Sequence, residues 1–126
     1  MRDMMTEYFF DTYAIIEIMN GNPKYEPYSL KSGKTAYVNA IELFYSVLKD
    51  QGVENAREAL AAIMPLLMDA DIDDIEPAML FRHKHRDKNL SYTDCLGYIL
   101  AKKHNMKFLT GDEKFKDVLN VEFVRK

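Results

Sequence analysis

Four carboxylates, Asp11, Glu42, Asp94 and Asp112, stand where the chain switches between strand, turn and helix. Asp11 follows Tyr8-Phe9-Phe10, Glu42 closes Asn39-Ala40-Ile41-Glu42, Asp94 closes Ser91-Tyr92-Thr93-Asp94, and Asp112 closes Leu109-Thr110-Gly111-Asp112. They are far apart in sequence. A parallel α/β fold nevertheless brings them to one edge of its sheet, because the carboxyl ends of parallel strands open into loops and helix starts on the same side. Carboxylates gathered this way repel one another unless a cation neutralises them, and hard divalent metals prefer oxygen ligands. The chemistry to expect is that of a metal-dependent enzyme. Thr12 and Thr110 neighbour the set, as hydroxyls able to orient a carboxylate or a water of the metal, or as ordinary turn residues.

Each acid also has a purely local reading. Asp11 can cap a helix starting at Thr12, and Asp112 a short helix after it. Asp94 lies three residues after Ser91 and Glu42 three after Asn39, both the spacing of a capping box. Capping accounts for any one of them and is compatible with metal binding, since both need a carboxylate near a helix N-terminus. It does not account for four acids converging.

The elements that must position these acids follow from periodicity and punctuation. Residues 8–10 read as a strand buried on both faces, and residues 12–19 as a short helix stopped by Asn20-Gly21-Asn22-Pro23. The stretch 24–34 reads as a loop with one helical turn. A second strand is expected over 35–38, after which Asn39 caps a helix with an apolar stripe (Ile41, Leu43, Phe44, Val47, Leu48) ending near Gly52. Residues 53–68 read as another helix, kinked or divided by Pro65, and 70–72 as a short third strand. Helical spacing returns over 75–85. Ser91 opens a helix through His104 with Leu96, Ile99 and Leu100 on its buried side, closed by Asn105. Strands are expected over 106–109 and 121–124, with a turn or short helix over 111–116. Alternating strands and helices indicate an α/β layer structure with a mostly parallel sheet.

Composition sets the outer bounds. The 126 residues, 48% hydrophobic and 12% aromatic, suit one domain with a real core. A formal charge of −3 excludes a whole-molecule electrostatic binder of nucleic acid but allows a local basic face. Cys95 is the only cysteine, so neither an internal disulfide nor a multi-cysteine zinc site is available. The N-terminal residues 1–7 lack the apolar core of a signal peptide, and no apolar run is long enough to span a bilayer, so a cytoplasmic location without membrane contact is expected.

Taken in order, Phe9-Phe10-Asp11-Thr12, Asn39-Ala-Ile-Glu42-Leu-Phe-Tyr-Ser-Val-Leu, Leu90-Ser-Tyr-Thr-Asp94-Cys-Leu-Gly-Tyr-Ile-Leu-Ala and Phe108-Leu-Thr110-Gly-Asp112-Glu-Lys-Phe115 cover nearly the whole chain. This arrangement resembles a PIN domain, and the compact length is similar to that of the VapC-type toxin ribonucleases. The resemblance implies a three-layer α/β/α fold, with a central, mostly parallel sheet of four to five strands, over one domain, residues 1–126. It also implies an acidic site for Mg²⁺ or Mn²⁺, with Asp11, Glu42, Asp94 and Asp112 matching the family's acidic quartet. One position departs. Many relatives carry a further acid two residues after the fourth, where this chain has Lys114, so the resemblance supports one ion more firmly than two.

The implied reaction is hydrolysis of an RNA phosphodiester, with Asp11, Asp94 and Asp112 as metal ligands and Glu42 binding a second ion, holding a water or acting as base. RNA needs cations near such a site. Arg82, Lys84 and Arg86 in the densest basic run, and Lys114 and Lys116 after Asp112, are the candidates, against the plain alternative of a solvated helix face. Tyr13, Phe44, Tyr45 and Tyr98 can stack on bases but have the spacing of packing residues. The resemblance further implies a homodimer and, in the toxin branch, an antitoxin partner. Two alternatives remain: a PIN-like module for RNA processing, or one that binds RNA or protein without chemistry. A phosphotransfer domain fits poorly, since Tyr13 occupies the place of a phosphatase's second Asp and no acid pairs with Asp11.

Overall fold

Tyr8–Phe10 forms the central strand β1, and its three residues are all buried, as a strand covered by helices on both faces must be. The computed structural model describes residues 6–126; the reading of residues 1–5 as lacking a signal sequence lies outside the described residues. From β1 the chain runs into α1 (Thr12–Met19), two 3₁₀ turns, β2 (Gly33–Ala36), α2 (Tyr37–Gln51), α3 (Val53–Ile63), β3 (Leu67–Met68), α4 (Ile75–Lys84), α5 (Tyr92–Lys103), β4 (Lys107–Thr110) and β5 (Val121–Phe123). The strands lie in the order β3-β2-β1-β4-β5 and every neighbouring pair is parallel.

Alternation along β1 divides the core in two. Tyr8 and Phe10 point into a cluster with Ala14, Ile15, Leu43 and Ile63, from the layer of α1, α2 and α3. Phe9 points the other way, with Phe108 of β4, against Ala78, Leu100 and Ala101 of α4 and α5. The expected three-layer α/β/α sandwich is therefore present, with five parallel strands. Among the described residues, no helix is long and apolar enough to cross a membrane.

Several boundaries differ from the sequence reading, each for a local reason. The second strand is Gly33–Ala36, not 35–38, because its register is set by pairing Gly33 and Lys34 with β1, and Thr35 and Ala36 with β3. Helix α2 therefore starts at Tyr37 with Ala36 as its uncapped N-cap, and Asn39 lies inside the first turn. The expected helix over 53–68 ends at Ile63. Pro65, lacking an N–H, sits in the 3₁₀ turn Met64–Leu66, and Leu67 and Met68 after that turn become β3. The strand expected over 70–72 is absent: Asp71 instead gives its N–H to the Asp74 carboxylate at 2.8 Å, opening the turn before α4. Residues 24–34 contain two 3₁₀ turns (Pro23–Tyr25, Leu30–Ser32), not one. β4 runs one residue later than expected, and α5 is capped by His104, with Asn105 beyond it at φ 58°. The fully buried side of α5 is Cys95, Gly97, Tyr98, Leu100 and Ala101, while Leu96 and Ile99 are half-buried.

Gly97 explains the close seat of α5 on the sheet. A Cβ there would stand 2.8 Å from the Phe9 ring and 3.3 Å from that of Phe108. Alanine in place of glycine inside a helix ordinarily stabilises by about 1 kcal/mol. Here the opposite sign is expected, a loss of about 1–3 kcal/mol through overpacking. Urea unfolding of Gly97→Ala reads the difference, and an unchanged or higher midpoint would contradict this packing.

Candidate metal centre

The carboxyl edge of the sheet is where β1, β2 and β4 release their chains, and it collects the acids from three directions. Asp11 follows β1 and is 4% exposed. Its backbone N–H still bonds Leu109 O at 3.2 Å, so the strand ladder itself fixes the residue. One carboxylate oxygen, Oδ1, accepts from Ala14 N at 2.7 Å as the N-cap of α1, and Oδ2 accepts from the Thr110 hydroxyl. That hydroxyl in turn accepts the backbone N–H of Asp112 at 3.0 Å. Thr110, fully buried, thus ties Asp11 to Asp112 across the gap between β1 and β4.

Asp112 leaves β4 through Gly111. A Cβ at Gly111 would meet Tyr25 Oη and Val124 O at 2.6 Å, so a glycine is required where the chain turns toward the site. Asp112 Oδ1 accepts from Lys114 N at 3.0 Å, capping the 3₁₀ turn Glu113–Phe115. Asp94 sits in the first turn of α5 in a capping box: its N–H goes to Ser91 Oγ, and its Oδ2 accepts from Ser91 N, both at 3.0 Å. The local readings of Asp11, Asp94 and Asp112 as caps are thus correct. In Asp94 and Asp112 the cap uses one oxygen and leaves the other, Oδ1 or Oδ2, without a hydrogen bond among the described residues.

The reading of Glu42 as part of a capping box with Asn39 is not correct. Asn39, 2% exposed, donates from Nδ2 to Thr12 Oγ1 at 3.1 Å, and Thr12 donates to Glu42 Oε1 at 2.7 Å. Thr12 is therefore a hydrogen-bond hub between α1 and α2.

Electrostatics mark the same place. Burial drives the Asp11 carboxyl up from 3.8 to about 7, with the charges of Asp94 and Asp112 pushing the same way and the hydrogen bonds from Thr110 and Ala14 pulling against them. Tyr13, half-buried beside Asp11, is raised by burial and by the charges of Glu17, Asp11, Asp112 and Glu113. Among the described residues, no basic side chain lowers the Asp11 carboxyl. Among the described residues, no three Asp, Glu, His or Cys side chains are gathered tightly enough to enclose an ion as they stand. The donor set nevertheless suits a hard divalent cation: all-oxygen, mutually repelling, with one carboxylate oxygen of Asp94 and one of Asp112 uncommitted among the described residues.

The basic residues separate. Lys114 stays at the rim, its Nζ 3.2 Å from Asn89 O, just before the Asp94 helix. Arg82 is committed to structure, with Nε on Leu90 O at 2.9 Å and the guanidinium 4.8 Å over the Tyr92 ring. Arg86 bonds His83 O, Lys116 is exposed, and Lys84 borders a groove with Tyr98, Ile99 and Lys102, toward the far end of α5 from Asp94. Glu113, next to Lys114, is paired with Arg125 at 2.9 Å, and Asp117 lies on the Lys84 groove. His85 packs on Phe81, and Cys95 is buried, its thiol pushed up to about 11 by burial. Tyr98 is a core residue donating to Leu119 O at 2.6 Å, whereas Tyr45 is exposed.

The PIN domain model matches residues 8–120. Among solved structures, the chain is similar to Mycobacterium tuberculosis VapC20, a sarcin–ricin-loop-cleaving toxin, with a TM-score of 0.77 at 18% identity over 93% of this chain and 98% of that one. A toxin–antitoxin complex from Klebsiella pneumoniae gives 0.71 at 18% identity over 91% and 95%. VapBC2 from Rickettsia felis, bound to a promoter DNA fragment, gives 0.67 at 20% identity over 95% and 98%. No curated protein matches by sequence.

Proposed function

The chain belongs to the PIN domain family, and from that premise we propose that it is a metal-dependent endoribonuclease, the toxin of a toxin–antitoxin pair, acting in the cytoplasm. The observation that carries the proposal is the convergence of Asp11, Asp94 and Asp112, close enough that the latter two raise the former's carboxyl. A Mg²⁺ or Mn²⁺ ion held there would supply an activated water and neutralise charge on the phosphate. Asp11, Asp94 and Asp112 are assigned as its ligands. Glu42, on α2, accepts from Thr12, the residue next to Asp11, and is assigned to bind a second ion, hold a water or act as base. Thr110 keeps Asp11 and Asp112 in mutual register. Lys114 is the best placed of the basic residues to meet an RNA phosphate, and it argues for one ion rather than two, because an ammonium stands where a second site would want a carboxylate.

The partners proposed are an RNA substrate, a second copy of the chain and an antitoxin. An exposed apolar groove between α2 and α3, lined by Tyr37, Ile41, Phe44, Tyr45, Leu60 and Met64, supports a protein partner, since patches of this kind mark interaction surfaces. The toxin–antitoxin complexes among the similar structures support the same reading. A second reading, a PIN-like RNA-processing or binding module without chemistry, draws on Lys114 and on the open spacing of the acids. Incubation with RNA and Mg²⁺ or Mn²⁺ separates the two. Cleavage that chelator stops and added ion restores is expected; intact RNA under every ion would leave the binding module.

A further inference from the structure

Three aromatic side chains among the described residues are more than half exposed. Tyr37 and Tyr45 line the apolar groove on α2. Tyr92, 64% exposed, stands apart from that groove at the first position of α5, two residues before Asp94. Its ring is not loose. The Arg82 guanidinium lies 4.8 Å from the ring centroid and is itself anchored, with Nε donating to Leu90 O at 2.9 Å. A cation held over one face of an aromatic ring is attracted to it and steadies its plane, leaving the opposite face to solvent. Among the described residues Arg82 forms no ion pair, and neither does Lys114, whose Nζ meets the preceding carbonyl of the same loop, Asn89 O, at 3.2 Å. Two unneutralised cations thus hold successive carbonyls of the loop that leads into α5. An exposed ring backed by such a cation suits a flat group tied to an anion, and an unpaired nucleotide is both. An aliphatic partner surface would leave the cations without a counter-charge.

We propose that Tyr92, backed by Arg82, is a base-stacking residue for single-stranded RNA. One nucleobase lies on the open face of the ring, and the free edge of the Arg82 guanidinium meets the phosphate of that nucleotide. The inference rests on the proposal above that the chain acts on RNA, and it names the part of the RNA recognised. Residues two apart on a helix point to different sides, so Tyr92 stands outside the chemistry and holds a nucleotide away from the one that is cut. Every base has a face to stack, so the contact selects unpaired over duplex RNA and not one base over another.

Fluorescence anisotropy of a labelled single-stranded oligoribonucleotide, in chelator so that nothing is cut, compares the native chain with Tyr92→Ala, Tyr92→Leu and Tyr92→Phe. Tyr92→Ala should weaken binding about 10-fold, the loss of one base stack. Tyr92→Leu keeps apolar bulk without a flat face and should lose nearly as much, whereas Tyr92→Phe keeps the ring and should bind like the native chain. The salt dependence should be the same in all four, since a ring releases no counterion. The same RNA annealed to its complement should not distinguish Tyr92→Ala from the native chain. Equal single-strand affinity in Tyr92→Ala and the native chain overturns the inference alone, and so does a Tyr92→Phe protein as weak as Tyr92→Ala. A smaller assembly of Tyr92→Ala by light scattering, with RNA affinity unchanged, gives the ring to a protein interface and also overturns it. RNA binding that needs Tyr92, in a native chain that cuts nothing in Mn²⁺, keeps this inference and removes the nuclease reading. A native chain that neither binds nor cuts RNA overturns both.

Discussion

Asp11→Asn is expected to abolish RNA cleavage while making the metal-free protein more stable. The two effects share one cause. Asp11 is buried, and its carboxylate is disfavoured by that burial and by Asp94 and Asp112. The amide keeps an oxygen for Ala14 N, the cap of α1, but carries no charge. Removing a buried, self-repelling charge should stabilise the metal-free fold by about 1–2 kcal/mol at pH 8, less than the full electrostatic cost because the Thr110 hydroxyl loses its acceptor. Removing a proposed metal ligand should lower the rate by a factor of about 10³ or more, the several kcal/mol that a bound ion supplies to such a transition state. Thermal melting in chelator and an RNA cleavage assay in Mn²⁺ read the two halves. A residue that matters only for folding would lose both stability and activity. Full activity in a folded Asp11→Asn, Asp94→Asn double variant would sink the catalytic assignment.

The second large effect is on pH. With its folded-state value near 7 and its ordinary value at 3.8, Asp11 holds its proton more tightly folded than unfolded. Its contribution to stability is therefore full below about pH 4 and lost as pH rises toward and through 7, on the order of 4 kcal/mol at the upper limit. Metal-free protein should unfold at lower urea at pH 8 than at pH 5, the reverse of a protein whose acids are salt-bridged. Mn²⁺ should invert this, because a cation binds only the ionised carboxylate: its affinity rises through the same range and binding releases a proton. Chelated urea midpoints that are equal at pH 5 and pH 8, or higher at pH 8, would show that Asp11 titrates at its ordinary value.

How much of this was legible in the residues depends on the distance over which each feature is determined. The helices at 12–19, 75–84 and 92–103 rest on contiguous periodicity and caps, and were readable to within a residue or so. β3, only two residues long, has no periodicity to read; it exists because Leu67 and Met68 meet Thr35 and Ala36. The acids were legible as types at boundaries, and Asp94 and Asp112 lie near enough to Asp11 for their charges to raise its carboxyl. Asn39 was not legible in its role. Its spacing to Glu42 imitates a local cap, whereas its partner is Thr12, 27 residues away. Nor could the sequence announce that Asp11 is almost wholly buried, since that depends on Thr110 closing over it from β4.

Asp11, Asp94 and Asp112 each commit a carboxylate oxygen to the start of a helix or turn, and Asp94 and Asp112 keep their second oxygen free of hydrogen bonds among the described residues. Asparagine or serine at these positions can still cap a helix, but neither brings the charge that holds a cation. On the proposed nuclease reading, a gene encoding this chain could thus pass through single substitutions that silence the chemistry and leave the shape intact. A silenced copy would still be able to occupy whatever partner the active one binds, and so compete with it.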